Sequence, residues 1–245
     1  MEINAKQVKE LRELTGAGMM DCKGALVETG GDIDKAQTLL REKGAVVAAK
    51  RAGRSATQGL IVAASRDNGK VGVLIDLRCE TDFVARNEEF QELAKEISEY
   101  VADCAADTTP IDEIRQGKLP SRGETVVDAI QGAVGRIGEK IELARAAKFT
   151  LSAPEGIVDA YVHHDSRSGS MVEMVAENLP ADAVEELQKL AHEIALQVVV
   201  FSPIFLTRED IPQSLIDEEL RIQRQIAIEK EGKPEQVAEK IALGR

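Results

Sequence analysis

Tryptophan is absent from this chain of 245 residues, and the other aromatics are few, five Phe and two Tyr. A core must therefore be built from aliphatic side chains, and any aromatic outside a core-forming run needs its own explanation. Long apolar runs are also missing. The longest, such as 195–201, are broken by polar residues well short of the ~20 needed to span a bilayer, so no membrane association is expected. The start, Met1-Glu2-Ile3-Asn4, has no basic stretch followed by an apolar block, and no secretory signal is expected. Cysteines number three, Cys22, Cys79 and Cys104. Their odd count and wide spacing fit neither a zinc motif nor a disulfide framework, and predict reduced thiols in a cytoplasmic protein. No P-loop, metal motif or nucleophile–base spacing is present, which argues against an enzyme, a catalytic residue or a bound cofactor. Acid exceeds base to a net charge of -12, which disfavours direct nucleic-acid binding.

What is present is enough for a core and a soluble surface, at 43% apolar and 30% charged residues. The charge is uneven. Residues 1–54 carry ten Lys/Arg against eight Asp/Glu, so the acidity lies in the remainder. Asn4 can cap a helix over Ala5–Leu14, stopped at Thr15-Gly16. A second is expected over Met19–Glu28. A third follows the cap Asp32 and runs to Arg41, with Gly44 as its stop, and a short fourth spans Ala45–Lys50. These helices predict a compact bundle, and the polar stretch 51–55 marks a domain boundary after residue 54.

Residues 55–150 read as an α+β subdomain. Strands are expected over Leu60–Ala64 and Val71–Arg78, joined by Asp67-Asn68-Gly69, a strong hairpin signal. A helix carries Phe90, Leu93, Ala94, Ile97 and Val101 on one face. A looser stretch around Thr108–Pro110 and Leu119-Pro120 precedes a helix over Glu124–Val134 and a strand over Lys140–Ala147. The pattern then recurs in 151–205. Gly156-Ile157-Val158 echoes Gly59-Leu60-Ile61, a turn with Gly169 echoes the one with Gly69, and Met171–Val175 echoes Val71–Ile75. Leu187, Leu190, Ala191, Ile194 and Val198 repeat the helix face 97 positions on. An internal duplication is expected, with paired antiparallel sheets. Residues 206–245 predict an antiparallel helical hairpin turning at Gly232-Lys233-Pro234. The second copy lacks a counterpart of the strand Lys140–Ala147 and reads as incomplete, as in a chain shortened at its end.

Between the second strand and the helix lies Cys79-Glu80-Thr81-Asp82-Phe83-Val84. An acid and an aromatic stand side by side at a strand-to-helix turn. Thr81 or Asp82 can cap the helix while Phe83 covers its own core; alternatively, Phe83 enters another protein. The second copy has Leu179-Pro180-Ala181-Asp182 there, without an aromatic. His163-His164-Asp165 suggests a metal, but adjacent histidines on a strand point to opposite faces, and no metal site is expected.

Several blocks together resemble one family: Val8–Arg12, Thr15–Lys23, Glu80–Ala85, Ile137–Ile141 and Gly232–Lys240. In order and spacing these are similar to bacterial translation elongation factor Ts. The resemblance implies an exchange factor that binds GDP-bound and nucleotide-free elongation factor Tu, disturbs its Mg²⁺ site and releases GDP. It implies a ubiquitin-associated-like helical module, a duplicated core and an inserted hairpin, and it allows a two-to-two assembly. It assigns Thr81, Asp82, Phe83 and Val84 to the wedge, and Lys9, Arg12, Met19, Met20, Lys23, Ile137, Gly138 and His163 to partner contact. From the residues themselves, one of Met19 and Met20 is expected in the bundle core. A ubiquitin-associated-like adaptor with an unrelated partner is the alternative.

Overall fold

A computed structural model describes residues 3–244. The chain forms two units, the first reaching Val200 and the second beginning at Phe201. It is mixed helix and antiparallel sheet, an α+β protein.

The first unit opens with helix α1, Ala5–Thr15. Asn4 caps it by accepting from the Gln7 amide at 2.8 Å, and Gln7 answers by accepting from the Asn4 amide at 3.2 Å. This reciprocal box satisfies two donors that a helix start leaves free. Helix α2 spans Met19–Glu28. Helix α3 begins after Asp32, whose carboxylate accepts from the Lys35 amide at 3.0 Å. Val8, Leu11, Cys22, Ala25, Leu26 and Ala36 form the small shared core.

Helix α3 corrects the reading of Gly44. It runs unbroken over Ile33–Arg51, so the expected stop and the separate short helix merge into one. Gly44 is buried because helix α7, Val126–Ile137, crosses against it. A Cβ at Gly44 would lie 3.2 Å from the Gln131 carbonyl oxygen. The glycine serves a close helix–helix approach, not a terminus.

Strands β1, Gln58–Arg66, and β2, Val71–Cys79, pair antiparallel, and β3, Ile141–Thr150, adds to the other edge of β2. Val73, Ile75, Leu77 and Cys79 alternate onto the buried face of β2. A one-turn helix α4, Asp82–Ala85, leads to α5, Glu88–Cys104. Phe90, Leu93, Ala94, Ile97 and Val101 of α5 are all buried, joined by Val126, Ala129 and Ala133 of α7. Helix α6, Ile111–Gln116, stands in the stretch expected to be irregular, where it buries Ile114.

Strands β4, Gly156–Val162, and β5, Gly169–Val175, form a two-stranded sheet. Its register repeats that of β1–β2 97 positions on: Gly59 pairs with Arg78, and Gly156 with Val175. This corrects two details. Met171 corresponds to Leu74, not Val71, and Gly169 begins β5 opposite Val162 instead of sitting in the turn. Pro180 therefore stands where the first copy has Phe83. The hairpins hold each other through paired backbone bonds. The Ile61 amide donates to the Ser166 carbonyl at 2.7 Å, and the Val158 amide donates to the Gly69 carbonyl at 2.6 Å. Each donor and each acceptor sits 97 residues from its counterpart. Helix α8, Val184–Phe201, follows. Its apolar face is less covered than that of α5: Leu190 is 47% exposed and Leu93 is 1% exposed.

In the second unit, α9, Gln213–Glu229, and α10, Glu235–Leu243, pack on a seam of small residues, Ala227, Ala238 and Ala242. Arg224 pairs with Glu235, and the Lys233 amide donates to the Ala227 carbonyl at 3.0 Å. No helix among the described residues is long and apolar enough to cross a membrane.

Candidate functional site

At Cys79 the sheet ends and the chain turns. Thr81 has extended backbone angles and caps α4, its hydroxyl oxygen accepting from the Val84 amide at 3.4 Å. Val84 and Ala85 lean on the main core. Phe83 points away and is 81% exposed. Asp82 is half-exposed and pairs with Arg86 at 3.3 Å, one helical turn on. Asn87 caps α5 by accepting from the Glu89 amide at 2.9 Å. Phe83 is thus not a cover for its own core. It is a large apolar side chain held out on a one-turn helix beside an acid.

The base of this turn is polar. Gly138 ends α7 with φ of 83°, a left-handed conformation suited to glycine. The next residue, Glu139, turns its carboxylate onto Thr81. It accepts from the Thr81 amide at 3.0 Å and from the Thr81 hydroxyl at 2.8 Å. Glu80 answers across the same gap by accepting from the Lys140 amide at 2.7 Å. It also faces Arg54 at 3.2 Å and Arg51 at 3.7 Å. The Lys140 amide foremost, then Arg54, holds the Glu80 carboxyl below the ordinary glutamate value of 4.5. Behind it, the Cys79 thiol donates to the Thr81 carbonyl at 3.1 Å. Burial pushes this thiol up to about 11, with Glu139 adding to the effect.

Ile137 and Gly138 directly precede Glu139, whose carboxylate reaches Thr81. Ile137 itself packs partly on the core, and Gly138 terminates a helix. Glu80, Glu139, Arg51 and Arg54 brace the base of the Thr81–Val84 turn, a role that sequence alone does not assign to them. Glu80 and Glu139 sit inside the motif blocks, but nothing local pairs segments 58 residues apart.

Lys9, Arg12, Met19, Met20 and Lys23 all lie exposed on α1 and α2. Lys9 pairs one turn along its own helix, with Glu13 at 3.6 Å. Met19 is 59% and Met20 75% exposed, so neither fills the bundle core. Cys22, Ala25 and Leu26 fill it instead. Leu14 and Val27 add exposed apolar surface to this module. Arg136 ties the module to the rest, donating to Glu89 at 2.5 Å and to the Thr15 carbonyl at 3.4 Å. It lines a cleft of about 660 Å³ with Leu14, Arg41, Val47 and Asp128.

His163 lies in the turn between β4 and β5, not on a strand. Its Nδ1 shares a hydrogen bond with the Tyr161 hydroxyl at 2.9 Å. His164 lies against it edge-on, ring centres 4.2 Å apart, instead of on an opposite face. No group of three or more His, Cys, Asp or Glu side chains among the described residues could hold a metal ion.

Comparison with known proteins points to one family. The family model described as "Elongation factor TS" matches residues 80–245. The Elongation factor Ts of Clostridium botulinum (strain Eklund 17B / Type B) is 43% identical over 243 residues, which cover 99% of this chain and 77% of that protein. That of Prosthecochloris aestuarii is 44% identical over 245 residues, 100% of this chain and 82% of its own length. That of Symbiobacterium thermophilum is 41% identical over 244 residues, 100% of this chain and 76% of its own. A family model that matches most of the chain, with relatives more than 40% identical over nearly all of it, places the protein in the elongation factor Ts family.

Proposed function

We propose that the Thr81–Val84 turn is the element with which this chain loosens the nucleotide of its partner. As a family member the chain is a guanine-nucleotide exchange factor for elongation factor Tu in translation elongation. It acts by binding, with no bond made or broken. The observation that carries the assignment to this turn is the exposure of Phe83 at 81% on a helix anchored at its base.

The physical logic is differential. The partner holds GDP with Mg²⁺, an ion that demands near-ideal octahedral geometry and keeps several waters. A wedge that shifts the loops around those waters costs the nucleotide affinity. Reciprocally, a factor that binds the nucleotide-free state more tightly must weaken nucleotide binding by the same factor. Full burial of a Phe side chain contributes ~2–3 kcal/mol, enough for a hot spot. Asp82, half-exposed beside it, brings negative charge and acceptors toward the displaced cation. The chain itself needs no cofactor.

On this reading residues 1–54 are a ubiquitin-associated-like docking module. Lys9, Arg12, Met19, Met20 and Lys23 meet the nucleotide domain, and two methionines suit a surface that must adapt. Residues 55–150 and 151–205 are two copies of one ancestral unit, a reading that the shared register and the reciprocal backbone bonds support. Residues 206–245 are the hairpin. His163 is a second contact point, and Ile137 and Gly138 adjoin the wedge. A cytoplasmic setting and a one-to-one or two-to-two complex both fit this role.

Release of a fluorescent GDP analogue from elongation factor Tu tests it. The chain is expected to accelerate release, and Phe83→Ala to lose the acceleration with its circular dichroism unchanged. A folded Phe83→Ala variant that accelerates release like the parent would overturn the assignment.

A further inference from the structure

Helix α4 is a single turn with none of its residues fully buried. The core therefore does not lock Phe83 in place; Val84 and Ala85 only lean on it. What fixes the turn is polar. Glu139 takes the amide and the hydroxyl of Thr81 together, at 3.0 and 2.8 Å. The Thr81 hydroxyl oxygen in turn accepts from the Val84 amide at 3.4 Å. One continuous chain of bonds thus runs from the Glu139 carboxylate through Thr81 to the backbone next to Phe83. Hydrogen bonds in such a chain strengthen one another, and an ionised acceptor makes the strongest kind. A carboxylate suits the position because it offers one oxygen to each of two donors at once. Gly138 makes this possible by ending α7 one residue earlier, so that Glu139 leaves the helix facing the turn.

We propose that Glu139 is a positioning residue for exchange, which holds the Thr81–Val84 turn in its partner-ready conformation before encounter. This rests on Phe83 being the wedge. Glu139 acts through Thr81 and does not itself enter the partner. It also gives the Ile137–Ile141 block a role other than contact: the block delivers the carboxylate that steadies the wedge.

The consequence is a particular kinetic signature. If the turn is ordered only part of the time, the apparent affinity falls by that fraction, while the saturated complex is unchanged. In the GDP-release assay, Glu139→Ala is expected to raise the half-saturating concentration of the factor about tenfold. The release rate at saturation should stay near that of the parent. Glu139→Gln, which keeps one acceptor oxygen, should recover part of the loss. Affinity for nucleotide-free elongation factor Tu, read by titration calorimetry, completes the cycle: in a Phe83→Ala background the Glu139→Ala change should weaken binding no further, because its target is already gone.

Each outcome decides. Parent-like behaviour of Glu139→Ala, with Phe83→Ala impaired, overturns the proposal and leaves the wedge intact. Additive losses in the double variant overturn it too, because Glu139 then acts elsewhere. An unimpaired Phe83→Ala removes the wedge and this proposal with it. Should Glu139→Ala melt the chain, Glu139→Gln carries the same cycle in its place.

Discussion

Phe83 and Phe90 stand seven residues apart on adjoining helices and meet opposite fates, the first 81% exposed and the second fully buried. The same substitution at each should therefore read out different things. Phe90→Ala is expected to cost about 3–5 kcal/mol, as emptying an aromatic site in a packed core usually does. Phe83→Ala should leave stability within about 0.5 kcal/mol, as surface changes do. Urea unfolding of the two variants, set beside their exchange activity, separates fold from function. Comparable destabilisation by both would contradict the geometry of the turn.

The crossing of α3 and α7 offers a second prediction. A Cβ at Gly44 would already stand tight against the Gln131 carbonyl oxygen, at 3.2 Å, with no space for a branched side chain beyond it. Gly44→Val should push the helices apart and cost about 1–3 kcal/mol by overpacking. Gly24, whose Cβ would meet nothing within 4 Å, is the control. There, Gly24→Ala should be neutral to stabilising by up to about 1 kcal/mol through helix propensity. Thermal melting of the pair checks both signs.

Thiol chemistry gives a third. Cys22 and Cys79 are buried and Cys104 is exposed. Burial also holds the Cys79 thiol in its protonated, unreactive form, with a value of about 11. A native thiol titration should find one fast cysteine, and peptide mapping should place the label on Cys104. Denaturant should release the other two. Rapid labelling of Cys79 in the native chain would show that the Thr81 turn opens readily.

The Glu80 carboxylate sets a pH dependence. Its value is lowered below 4.5 in the folded chain, first by the Lys140 amide and then by Arg54. A lowered folded value means stability that is present above 4.5 and lost as pH falls through the folded value. Glu80→Gln should therefore be less stable than the parent at neutral pH, with the gap narrowing as pH falls below the ordinary value. Urea midpoints of both chains at neutral and acidic pH measure this. A gap that stays constant would place the effect elsewhere.

Local signals make much of this molecule legible in its sequence. Asn4, Asp32 and the Gly232 turn mark helix ends by chemistry acting within a few residues. The apolar stripe of α5 reveals its buried face through simple periodicity. Legibility fails where meaning is tertiary. Gly44 looks like a stop signal but answers to a helix reached more than eighty positions later. Helix α6 carries little amphipathic pattern between its prolines, and its one buried anchor, Ile114, acts through the shared core. Aligning the hairpins on Gly69 and Gly169 sets Met171 three positions out of register, because glycines recur near a turn without fixing which residues face each other; strand pairing does that. Met19 and Met20 could not be told from core residues, since Ala25 and Cys22 are small enough to fill so slight a bundle. The site shows the same division. Phe83 stands out for its rarity and position, and Glu139 does not, because its partner is named only by the fold.

Helix α3 carries one last implication, for how relatives can diverge. It is a continuous rod from the α1–α2 module to its crossing with α7, and Arg51 at its end faces Glu80 beside the wedge. A tether would absorb any change of length; a rod converts length into angle. One inserted residue would swing the module by about 100° around the helix axis, whereas three or four restore nearly the same facing at about 5 Å of extra reach. Insertions here should therefore come in whole turns, matched by the spacing of the surface each relative must grip.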